Sequence, residues 1–86
     1  MILITVGKPV NPRAQYAQNI DEEVKHDAKR CCDALAKKYP GFKFFVKAAE
    51  HALGVYTVES EDLRRASLEV KAFAEGFMAS EHLWER

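Results

Sequence analysis

Cysteine is scarce in this chain of 86 residues: two, adjacent at Cys31 and Cys32. A disulfide-stapled secreted domain of this size needs more, so a reducing cytoplasm is the expected compartment. Four glycines and three prolines are too few for a collagen-like or low-complexity chain. No apolar run approaches the ~20 residues that span a bilayer. Met1–Val6 is apolar, but Gly7-Lys8-Pro9 follows it at once, which is too short for the core of a signal peptide; no membrane partner is expected. Excess charge is missing too. Thirteen basic residues balance thirteen acidic ones, so the whole chain is no magnet for nucleic acid. A chain of this length buries only about 60–65% of its unfolded surface, which excludes barrels and doubly wound cofactor folds and leaves one domain over 1–86.

What is there reads as β-α-β-β-α. Ile2-Leu3-Ile4-Thr5-Val6 is short and β-branched, bounded by Gly7 and Pro9, and predicts a strand. Asn11-Pro12 offers a helix start. Ala17, Ile20, Val24, Ala28, Cys31, Leu35 and Tyr39 then recur at three and four, which sets them on one helical face until Pro40-Gly41. Asn19 and Glu22 have capping-box spacing, a second start inside the same stretch. A helix from Pro12 to Tyr39 would run about 42 Å, against about 23 Å for a seven-residue strand. A break near Asn19 is therefore expected, or else an overhanging first turn. Phe42–Lys47 and Val55–Val58 alternate at period two and predict a hairpin joined by Ala48–Leu53. Ser60 is the expected cap of a last helix with Glu61 and Asp62 in its first turn.

The expected core joins Ile2, Ile4, Val6, Phe42, Phe44, Val46, Tyr56 and Val58 of the strands to the first helix's stripe. Leu63, Ala66, Val70, Phe73 and Phe77 add the second helix. A right-handed crossover places both helices on one face of a three-stranded mixed sheet, with the third strand between the other two. This is an α/β plait, ferredoxin-like but lacking its last strand. It leaves one sheet face uncovered, carrying Leu3, Thr5, Lys43, Phe45, Lys47, Val55 and Thr57. It also leaves an unpaired edge on strand one, either open to strand addition or dimerisation or blunted by charge or twist.

Two surfaces remain for function. Leu68, Ala72, Gly76, Ala79 and Leu83 form a second stripe on the last helix, opposite its core face, with Trp84 beside it as an anchor. An interior glycine costs about 1 kcal/mol relative to alanine, which a close-approaching backbone at Gly76 would explain. The second surface is basic. Residues 1–49 hold nine basic and five acidic side chains, net +4, and residues 50–86 hold four and eight, net −4. Lys37, Lys38, Lys43 and Lys47 interleave with aromatics, Phe45 among them, as in nucleic-acid stacking platforms; the plainer reading is a strand whose lysines keep a sheet face soluble.

Catalytic, metal and cofactor chemistry finds no motif. Adjacent cysteines on a helix do not face each other, Cys-x-x-Cys and His-x-x-x-His spacings are absent, and so are Gly-rich phosphate loops and nucleophile elbows. A Cys32–His51 pair would need tertiary contact. Gly41-Phe42-Lys43-Phe44-Phe45-Val46 resembles the aromatic strand of RNA-recognition-motif domains. It departs from that pattern in the extra Phe45, in falling on the second strand rather than the third, and in lacking an aromatic on strand one. The length, the lack of catalytic motifs and the ending Ala72-Phe73-Ala74-Glu75-Gly76-Phe77 with Ser80 resemble small accessory proteins of tailed bacteriophages, host-takeover or anti-defence proteins. That resemblance implies a non-enzymatic protein-binding module, an inhibitor or adaptor occupying the surface of a host or defence protein, with a homodimer as one arrangement. Nucleic-acid binding through the basic aromatic strand is the alternative.

Overall fold

A computed structural model describes residues 1–61 and 66–80. The order is β1 (Ile2–Val10), α1 (Ala17–Lys38), β2 (Phe44–Ala48), β3 (Leu53–Ser60) and α2 (Ser67–Ser80). The sheet order is β1-β3-β2, and both ladders are antiparallel. The outer strands are thus parallel to one another only across β3, so the sheet is antiparallel rather than mixed at every hydrogen-bonded pair. α1 lies over all three strands, while α2 packs on α1 and β1. One continuous core results: Leu3, Val6, Tyr56 and Val58 below, Val24, Ala28, Cys31 and Leu35 from α1, and Val70, Ala74 and Met78 from α2. The α1 stripe is the expected one, with Ile20 and Tyr39 half-buried at its ends. Phe42, Phe44 and Phe73 pack against the core's margin, where Tyr39 meets Phe73 edge-on at 5.8 Å between ring centroids.

Strict alternation on β1 does not hold. The register jumps from Ile2↔Glu59 to Ile4↔Val58, so Leu3 is a bulged extra residue. It turns inward and is buried, whereas Ile2, expected in the core, is 51% exposed. The strand also runs past Gly7 and Pro9 to Val10. Gly7 takes φ +91°, and a Cβ there would overlap the carbonyl oxygen of Gly54 and crowd Val24. Only glycine fits that close approach. Pro9 lies on an edge strand, where a missing N–H is tolerated.

The first helix starts neither at Pro12 nor at Asn19. Asn11 instead builds a turn: its Oδ1 accepts from the Arg13 N–H at 3.0 Å and its carbonyl from the Ala14 N–H at 2.9 Å. The helix is then unbroken for 22 residues, about 33 Å, and Asn19 lies within its first turn. Lys37 and Lys38 occupy the last turn, where cations oppose the dipole. Ser60 does not cap α2. It closes β3, its Oγ donating to the Lys43 carbonyl at 2.7 Å and its N–H to Met1 at 3.0 Å. Leu63, assigned to the core from its spacing, lies outside the described residues.

Candidate functional site

Among the described residues nothing covers the sheet face opposite the helices. Cross-strand register orders it in rows: Ile2–Glu59–Phe45, then Thr5–Thr57–Lys47. Phe45 is 41% exposed, and Lys43 and Lys47 are exposed on either side of it. Period-two alternation on β2 carries these three to one face, as the sequence pattern implies; Leu3 leaves that face and Ile2 replaces it. Glu59 sits between the two apolar side chains, held by Thr57 Oγ1 donating to its Oε2 at 2.6 Å. Sequence reasoning missed Ile2 because one register slip at Leu3 decides which β1 residues share the row. It missed Glu59 because the expected third strand ends at Val58, whereas the observed one runs to Ser60.

The five basic and aromatic residues grouped by sequence do not form one patch. Lys37 and Lys38 end α1, on the helix side of the sheet, while Lys43, just before β2, continues the alternation of Phe45 and Lys47 on the other. On α2, Leu68 is 81% exposed, and Ala72, Gly76 and Ala79 are exposed with it. A Cβ at Gly76 would have no neighbour within 4 Å among the described residues, so no described backbone accounts for that glycine. Leu83 and Trp84 lie outside the described residues.

Two grooves flank the sheet. One, of about 350 Å³, runs along β1 between Ile4, Val10, Ile20, Val24 and Met78. The other, of about 390 Å³, lies between α1 and the edge of β2, lined by Lys25, Lys29, Cys32, Asp33, Val46, Ala48 and Tyr56. Lys25, Lys29 and Cys32 stack at spacings of four and three, the one sequence signal that marks this second groove. The Cys32 thiol is pushed up by burial and then by the Asp33 carboxylate, and Cys31, fully buried, up to about 11 by burial and its neighbour. Raised thiol pKa values leave little thiolate at neutral pH. His51 stands in solvent at the β2–β3 turn, 3.8 Å from Glu50, and is not part of the groove that Cys32 lines.

A polar node lies beneath the hairpin. Asp21 on α1 accepts the Gly54 N–H through Oδ1 and the Tyr56 hydroxyl through Oδ2, both at 2.8 Å. Burial, and then that hydrogen bond, push the Tyr56 phenol up to about 12. It ties α1 to β3, and neither periodicity nor spacing pointed to it. Among the described residues no group of three or more His, Cys, Asp or Glu is placed to hold a metal, and no helix is long and apolar enough to cross a membrane. Comparison with protein-family models, with curated proteins and with solved structures finds no match to this chain.

Proposed function

We propose that this chain is a non-catalytic protein-binding module that applies its uncovered sheet face to a partner protein, as an inhibitor or adaptor of the kind carried by tailed phages. One observation carries this reading: Ile2 and Phe45 are large apolar side chains left half in water on a face that no described residue covers. An antiparallel sheet tolerates one solvated face when that face is polar; apolar side chains left on it mark contact surfaces. Nucleic acid fits less well, because the Glu59 carboxylate occupies the middle of the platform that a phosphate backbone would have to cross. The exposed α2 stripe is a second contact surface in this reading, for the partner or for another copy of the chain.

The test is a pull-down of the tagged protein from bacterial lysate, with and without nuclease. A stoichiometric protein that survives nuclease and is lost with Phe45→Arg is the expected result. Ala72→Arg or Gly76→Arg losing the same protein would extend the interface to α2. Enrichment that disappears with nuclease would overturn the reading in favour of nucleic acid.

A further inference from the structure

We infer that the free edge of β2 receives an extended acidic segment of the partner as a fourth strand, an inference that rests on the protein-binding reading above. The two edges of this sheet are not equivalent. β1 carries two register shifts, between Ile2 and Ile4 and between Gly7 and Val10, and holds Lys8 and Pro9 just before its end at Val10. Bulges, lysine and proline are the features that blunt an edge. β2 pairs with β3 through five consecutive residues, from Phe44 opposite Ser60 to Ala48 opposite Tyr56, with no shift. Among the described residues its outer side meets no strand, so a straight row of N–H and C=O groups faces outward there.

Side chains on both faces of that edge say what fits. On the helix side, Val46 and Ala48 line the groove of about 390 Å³ with Lys25 and Lys29. On the other face the exposed Phe45 stands between Lys43 and Lys47. Four lysines therefore bracket one strand edge, against two carboxylates, Asp33 in the groove and Glu59 beside Phe45 on the open face. None of the four is ion-paired to another described residue. Strand addition takes its affinity from the backbone and its specificity from alternate side chains. The fitting segment alternates small apolar residues, directed to the groove, with carboxylates directed to Lys43 and Lys47.

Charge also decides against a second copy. Antiparallel pairing of β2 with itself, centred on Phe45, sets Lys43 of each chain opposite Lys47 of the other, and like charges directly opposite destabilise a ladder. Nucleic acid would answer the lysines but neither the backbone row nor the apolar groove.

The probe is a capped octapeptide of alternating valine and glutamate, beside the same peptide N-methylated throughout, followed by amide chemical shifts and hydrogen exchange of the whole chain. The expected result is shifts and slowed exchange centred on Phe44–Ala48, from the unmethylated peptide only. Affinity falls about tenfold in Lys43→Glu with Lys47→Glu, as for loss of two charge contacts, and less in Lys25→Glu with Lys29→Glu, which face the segment's apolar side chains. All four side chains are exposed, so the fold survives these changes. Equal binding by the methylated peptide would overturn strand addition while leaving the sheet-face reading intact. No shift at millimolar peptide would overturn it as well, as would tighter binding of oligo-dT at the same residues. The broader reading fails separately, when no nuclease-resistant partner depends on Phe45.

Discussion

Asp21 serves two donors from different parts of β3, the Gly54 N–H and the Tyr56 hydroxyl, and so fixes how α1 sits over the hairpin. Gly54 itself has φ +81°, and a Cβ there would strike Val10, so its amide reaches Asp21 from a backbone shape that glycine alone adopts easily. Tyr56→Phe removes one donor and leaves Oδ2 without it, which costs about 1.5 kcal/mol at neutral pH. The pH dependence has a definite sign. The folded phenol is raised to about 12 from the ordinary 10.0, so its contribution is complete below pH 10 and is lost as pH rises through about 12. Urea denaturation of both proteins from pH 7 to 12 checks this: the gap between them should narrow above pH 10. A constant gap would mean that the hydroxyl contributes nothing through Asp21.

At the scale of elements, α2 offers the cleanest measurement. Gly76 is exposed inside the helix, has nothing near its Cβ position and needs no positive φ. Gly76→Ala should therefore raise stability by about 0.8–1 kcal/mol, read as a higher thermal midpoint. Unchanged stability would indicate that a group other than the described residues already occupies that space. The order of elements was legible because α1 announces itself through seven core residues at three-and-four spacing, and because topology alone sets β3 between β1 and β2. What escaped was decided by single residues acting against their neighbours' pattern. Leu3 bulges and reverses the faces of Ile2 and Leu3. Asn11 accepts from the Arg13 N–H, and the turn it builds delays the helix to Ala17. Ser60 has the composition of a cap, yet finds the Lys43 carbonyl first. The exposed trio Lys43, Phe45 and Lys47 could be read from alternation, whereas Glu59 beside them required the register.

For the whole molecule, the question is what would keep a sheet whose two edges meet no described strand from pairing with its own copies. β1 is interrupted at both ends of its ladder, and β2 is short, straight and protected chiefly by charge. Lysines along an edge deter strand pairing because two such edges repel before their backbones can bond. Replacing Lys43 and Lys47 together by threonine keeps β propensity and removes the repulsion from the open face. The double variant should then self-associate through β2, with an apparent mass that rises with concentration in sedimentation equilibrium. Amides of Phe44–Ala48 should gain protection from exchange in parallel. The repulsion removed is electrostatic, so raising ionic strength should push the unmodified chain a short way in the same direction. If the double variant keeps the mass of the parent at every concentration and salt, lysine charge is not what holds this edge open.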